Sequence, residues 1–312
     1  MASPAPLHVA PSADDGLALR YYSVTSGDGT VLQAWTNDVE GPAVLLCNGL
    51  GTNPYAWPAL LDPSCGVRVI SWNHRGVGGS ERPRDLEHVG IDAFAEDAIA
   101  VMDDAGLTAC PLMGWSMGVN TMFEVAVLHP ERVTGLLAVG GVPGDTFASM
   151  GAPILIPRLA RKPLTVNIAR LLKLLGKPIT RVTSRMAIGQ RSLSLLVHSG
   201  FMRPPADPVL ARRAVREFLT TPTDWYMHLA LHSSLHERVS LRDIDVPTAF
   251  VAGTYDILAS ARDMRTAADR IPGATYSLLK ASHFLPMETP AEVHALLLDV
   301  LRRVAGAETA AT

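Results

Sequence analysis

The sequence predicts an α/β fold: a mostly parallel sheet flanked by helices and interrupted once by a helical lid insertion. Three observations predict it. Short, continuous apolar runs alternate with helix-like segments from about residue 20 onward. The central runs, such as Ala43–Cys47 and Leu136–Val139, are continuously apolar, as strands covered on both faces are. The alternation then lapses from Gly144 to Arg238, where the chain turns helical and Pro-punctuated, and resumes at Pro247.

The elements follow in order. Residues 1–16 begin Met-Ala-Ser-Pro-Ala-Pro and predict a loose start. Tyr21–Thr25 and Val31–Thr36 flank the turn signal Ser26-Gly-Asp-Gly29, which predicts an antiparallel hairpin. Ala43–Cys47, Val67–Trp72, Leu112–Trp115 and Leu136–Val139 are the buried strands. Pro111 cannot donate a ladder hydrogen bond, so it is placed at the first residue of its strand. Asp92–Asp104 and Met117–Leu128 are helical, the second ending before Pro130. After the insertion come strand Pro247–Ala252, helix Ser260–Arg270, strand Thr275–Leu279 and helix Pro290–Val304. The core is therefore expected at 17–143 and 239–312, with the lid at 144–238.

Composition excludes several functions. The net charge of −3 gives no reason to expect a nucleic-acid partner. The three cysteines are odd in number and fit neither a disulfide framework nor a zinc site. The start lacks a basic, then apolar, leader, and no run approaches the ~18 apolar residues of a membrane span. A cytoplasmic protein is expected. The sequence leaves oligomeric state open.

One pattern carries chemistry. Gly114-Trp-Ser116-Met-Gly118 lies between a buried strand and an amphipathic helix. A serine on that sharp turn presents its hydroxyl outward, and the helix N-terminus favours a developing negative charge beside it. A hydroxyl becomes a competent nucleophile only when a base takes its proton and a third group orients that base. Asp256 follows one downstream strand and His283 the next. All three fall at carboxyl ends of parallel strands, where open α/β sheets place their sites. Asp145, also after a strand end, is the alternative acid. The glycines of Asn48-Gly49-Leu50-Gly51 let the backbone turn its amides inward, so the N–H groups of Leu50 and Met117 are the expected oxyanion donors. His228, His232 and His236 recur every fourth residue, but His-Leu-Ala-Leu-His lacks the acid of a zinc-protease motif. No metal and no cofactor are assigned.

These residues resemble the α/β-hydrolase family from about residue 20 to the end, apart from the helical block. The marks are the serine elbow, Gly253-x-x-Asp256 and His283 followed by Glu288-x-Pro290. Two departures are Asn48-Gly49, where the family usually has His-Gly, and Asn73-His-Arg75-Gly-Val-Gly-Gly-Ser80, where it usually has Asp-x-Arg-Gly-x-Gly-x-Ser. The resemblance implies an eight-stranded-type sheet and a structural Arg75. Serine at position 116 disfavours the relatives that use Asp there, the epoxide hydrolases and haloalkane dehalogenases.

The insertion bears on substrate. Residues 146–206 contain no Asp or Glu and ten Lys or Arg, so the rest of the chain nets −13. Leu164, Ile168, Leu171, Leu172 and Leu175 share a helical face, with Gly176 and Pro178 as the stop. That face is expected to roof an acyl pocket. The basic charge suits an anionic handle on the substrate, or peripheral contact with an anionic membrane. The reading is a serine esterase or lipase for small apolar acyl substrates. Its rivals are an acyl-CoA-type thioesterase or acyltransferase, and an idle hydrolase fold serving as a ligand receptor.

Overall fold

The computed structural model describes residues 16–150, 156–186, 189–236 and 239–311. The expected loose start lies almost wholly outside them. Eight strands form one sheet in the order β1-β2-β4-β3-β5-β6-β7-β8. β1 (Arg20–Thr25) and β2 (Val31–Thr36) form the antiparallel hairpin, and β2 pairs antiparallel with β4 (Arg68–Trp72). β3 (Ala43–Cys47), β4, β5 (Cys110–Trp115), β6 (Val133–Val139), β7 (Thr248–Gly253) and β8 (Thr275–Leu279) are parallel.

The continuous apolar runs resolve into two cores by strand alternation. Leu45, Leu112, Leu136 and Phe250 face one side, packed on α1 (Ile91–Asp104), α2 (Gly118–Leu128) and α9 (Ala261–Ala268). Leu46, Met113, Leu137 and Val251 face the other, covered by α11 (Pro290–Ala311) through Val293, Leu297 and Val300. Being buried on both faces explains why these strands carry no polar alternation.

Most boundaries shift by one or two residues, the last helix runs on from the expected Val304 to Ala311, and two of the differences have a clear physical reason. β6 begins at Val133, ahead of the predicted Leu136, because Gly135 lets α11 approach closely: a Cβ there would lie 2.6 Å from Val304 Cγ2. Pro111 is the second residue of β5, not the first. The register with β6 shifts between Cys110 and Pro111, an irregularity that accommodates the missing donor.

Between β6 and β7 the chain is helical: α3 (Thr146–Ser149), α4 (Arg158–Leu174), α5 (Gly176–Thr183), α6 (Gln190–His198), α7 (Pro208–Thr220) and α8 (Thr223–Ser233). Gly176 does end α4, but it also opens α5, and Pro178 sits inside that helix rather than stopping the chain. A Cβ on Gly176 would lie 2.3 Å from Asp224 N, so the close packing on α8 requires glycine there. The expected roof is also corrected. Leu164, Ile168, Leu171 and Leu175 are exposed, and only Leu172 of that set is half-buried. α4 instead buries Ala169 on the side that meets α8. No helix among the described residues is long and apolar enough to cross a membrane.

Candidate active site

β5 ends at Trp115 and α2 begins at Gly118, and of the two residues between them Ser116 has a φ of +55°. Such a left-handed conformation is costly for serine and persists only where the surroundings enforce it. The Ser116 N–H donates to Val139 O at 3.0 Å, and the Ser116 carbonyl accepts from Val119 N at 3.1 Å. The turn is so tight that a Cβ on Gly118 would lie 1.9 Å from Cys47 O. Glycine at that position is a steric necessity.

His283 and Asp256 approach from the loops after β8 and β7, His283 just ahead of the short helix α10 (Leu285–Glu288). His283 Nε2 lies 2.8 Å from Ser116 Oγ, and Nδ1 lies 2.9 Å from Asp256 Oδ2. The buried carboxylate of Asp256 is held by its other oxygen, which accepts from Leu258 N and Ala259 N, both at 2.8 Å. With Asp256 accepting, His283 carries its proton on Nδ1 and turns a basic Nε2 toward the serine. The histidine is held from behind as well. Trp115 Nε1 donates to the His283 carbonyl at 3.1 Å, tying the residue before the serine to the base. Glu288 accepts from Ser282 N and from Arg203 N, both at 2.7 Å, so the histidine loop is knotted to the helical block.

Asn48 and Gly49 bring the β3 loop against this corner. Asn48 Oδ1 accepts from Gly49 N at 3.0 Å and from Trp57 Nε1 at 3.1 Å. A Cβ on Gly49 would lie 3.4 Å from Ser116 Cβ. The backbone N–H groups of Leu50 and Met117 have no backbone acceptor among the described residues. Leu50 and Met117 pack into one apolar cluster with Phe147, Trp225 and Leu229. Apolar cover over this corner therefore comes from α3 and α8, not from the leucines of α4.

Other sequence candidates are placed elsewhere. Asp145, the alternative acid, pairs with Lys162 Nζ at 2.9 Å and accepts from Ala148 N at 3.2 Å, away from His283. His228 and His232 lie on α8 and meet Glu87 of the core, their ligand atoms within 4.8 Å of one another. A metal there would compete with contacts already made. Lys173 Nζ donates to His228 Nδ1 at 2.8 Å, and His228 Nε2 donates to Leu86 O at 2.7 Å. Burial holds the His232 imidazole below its ordinary range, against the pull of Glu87 3.1 Å away. Arg75 is fully buried against Asp97 at 2.8 and 2.9 Å, and its carbonyl accepts from Trp225 Nε1 at 2.8 Å. Asn73 holds the same loop by donating to Gly78 O at 2.6 Å. A separate cavity of about 620 Å³, lined among others by Asp145, Ser149, Arg161 and Ser260, includes none of Ser116, Asp256 or His283.

Residue-by-residue reading of the sequence missed Trp225, Trp115 and the Glu288–Ser282 contact as parts of the site. Trp225 carried one usable signal, an aromatic with a polar N–H in an otherwise polar stretch, which predicts a buried anchor.

Comparison with known proteins identifies the fold family. The family model described as alpha/beta hydrolase fold matches residues 42–290. Epoxide hydrolase 3 of Xenopus tropicalis is 25% identical over 299 residues, covering 91% of this chain and 75% of its own. Epoxide hydrolase A of Mycobacterium tuberculosis is 25% identical over 304 residues, covering 83% and 90%. Among solved structures, the enol-lactonase of Burkholderia xenovorans superposes with a TM-score of 0.66 at 24% identity, over 91% of this chain and all of the other. An esterase from Exiguobacterium antarcticum gives 0.67 at 18%, over 91% and 100%.

Proposed function

The chain belongs to the α/β-hydrolase fold family, and we propose that this hydrolase cleaves carboxylic esters of apolar acyl groups through an acyl-serine intermediate. One observation carries the reading: Ser116 Oγ, His283 and Asp256 form a continuous relay at 2.8 and 2.9 Å. Ser116 attacks the acyl carbon as His283 Nε2 takes its proton. Asp256 fixes the imidazole and stabilises the imidazolium. The Leu50 and Met117 N–H groups receive the oxyanion, His283 returns the proton to the leaving alcohol, and water activated by the same imidazole releases the acid. No cofactor enters these steps.

The epoxide hydrolases among the relatives supply the rival substrate class. Chemistry favours the acyl reading. A carboxylate that opens an epoxide forms an ester, which water then hydrolyses. A serine that opens one forms an alkyl ether, which offers no carbonyl for water to attack, and turnover stops after one event. Serine at position 116 therefore suits acyl substrates.

The test is a chain-length series of p-nitrophenyl and CoA esters, with styrene oxide alongside, using wild type and Ser116→Ala. Turnover of oxygen esters is expected, with a drop of at least about a thousand-fold in the variant. Steady epoxide turnover without ester turnover, or ester activity surviving in Ser116→Ala, overturns the proposal. Faster turnover of CoA thioesters than of any oxygen ester moves the substrate class to thioesters and keeps the mechanism.

A further inference from the structure

The outward side of α4 is built unlike the rest of the surface. Leu164, Ile168, Leu171 and Leu175 are spaced four, three and four residues apart, which places them within an arc of roughly 60° at about 100° per residue. They are between 45% and 56% exposed, while the opposite side of the helix buries Ala169 against its neighbours. Leu174, farther round the exposed side, is 81% exposed. Isolated exposed leucines are ordinary, but a contiguous stripe of them marks a surface that meets something apolar.

The charge around the stripe says what. No acidic residue occurs anywhere in 146–206. Lys162 is neutralised by Asp145, but Arg170, Lys177, Arg181, Arg185 and Arg191 are exposed and form no ion pair among the described residues. Arg170 lies one turn before the exposed Leu174 on α4, and Lys177 and Arg181 lie one turn apart on α5, the helix that follows directly. A second copy of the chain is a poor occupant, since a two-fold contact would press this basic surface against itself. A nucleic acid is a poor one too, because α4 offers aliphatic side chains and no aromatic platform for bases. A layer with anionic headgroups above hydrocarbon matches both halves of the pattern at once.

We propose that α4 and α5 form a docking surface for an anionic lipid bilayer, with Leu164, Ile168, Leu171 and Leu175 entering the headgroup–acyl boundary and the surrounding Arg and Lys side chains meeting lipid phosphates. The helix lies along the interface and does not cross it, in keeping with the absence of a spanning helix among the described residues. The inference does not depend on the reaction at Ser116.

Co-sedimentation with phosphatidylcholine vesicles, with and without about one-third phosphatidylglycerol, tests it on the full chain. Wild type is expected to pellet with the anionic vesicles at least ten-fold more strongly than with the neutral ones, and to be released by about 0.5 M salt. Ile168→Ser with Leu171→Ser in one chain, and separately Lys177→Glu with Arg181→Glu, are each expected to weaken binding at least ten-fold, at about five-fold per cation removed. Both variants should keep the wild-type melting temperature and ester turnover in solution, because none of these side chains is buried. Leu128→Ser, an exposed leucine at the end of α2, should change nothing. Three results overturn the proposal: equal or negligible binding to both vesicle types, wild-type binding by both variants, or a wild-type dimer that Ile168→Ser with Leu171→Ser converts to monomer.

Discussion

α4 and α8 belong to the same inserted block, and their apolar residues meet opposite fates. α8 has the less regular pattern, yet Trp225 and Leu229 are buried against Leu50 and Met117 and Trp225 is hydrogen-bonded to Arg75 O at 2.8 Å. α4 has the cleaner amphipathic stripe, and that stripe faces outward. Periodicity reveals that a helix has an apolar face. It does not reveal what the face meets, because burial is decided by which partner reaches it first. Here α8 carries an indole whose N–H finds a carbonyl of the core. The α4 stripe carries aliphatic side chains with no polar handle, and its small Ala169 packs inward.

The comparison separates a pinned inner surface from an unpinned outer one, and substitutions should divide along that line. The largest effect is expected at the inner extreme. Asp256→Asn removes the charge that fixes the His283 tautomer, and kcat should fall about ten-thousand-fold while the fold persists. Steady-state kinetics with far-UV circular dichroism reads both, and a loss below about ten-fold would show that another acid orients the histidine.

Next comes the anchor of α8. Trp225→Ala empties a buried site and orphans the Arg75 carbonyl, so urea unfolding should show a loss of about 3–5 kcal/mol. A loss as small as that of an exposed α4 residue would break the distinction between the two helices.

A third prediction uses pH. His74 is fully buried against Phe94, and burial pushes its imidazole down to about 4. The folded state thus keeps His74 neutral where the unfolded chain takes up a proton. Its contribution is intact above about pH 6.5 and is lost as pH falls from 6.5 toward 4, to a total of about 3 kcal/mol. Unfolding free energies at pH 7 and 4.5 should therefore fall more for wild type than for His74→Gln. Parallel losses in the two proteins would refute this assignment.

The smallest effect marks the outer extreme. Leu171→Ser should change unfolding stability by no more than about 0.5 kcal/mol, because its side chain is already largely in water. A loss of several kcal/mol would mean that the α4 stripe packs against protein in solution.

Much of the fold was legible in the chain because its signals are local. Ala43–Cys47 had to be a doubly covered strand, since five consecutive apolar residues leave no face for water. Gly114 and Gly118 had to flank a tight turn, and their clashing Cβ positions give the reason. Ser116, Asp256 and His283 could be proposed together because each follows a strand that a parallel sheet sends to the same edge. The β6 start was hidden, because Gly135 looks like a strand breaker until α11 is seen lying on it.

By itself, then, the sequence determined the sheet, the strand-end positions of the candidate triad, and the existence of a basic, leucine-striped insertion. The tertiary structure decided which acid meets His283, turning Asp145 toward Lys162 and Asp256 toward the imidazole. It also decided that α8 covers the serine corner and that the α4 stripe faces out. The reason is physical. Periods and turns are written in neighbours along the chain, whereas the choice between two acids that each follow a strand, or between two apolar faces, depends on long-range packing that no short window contains.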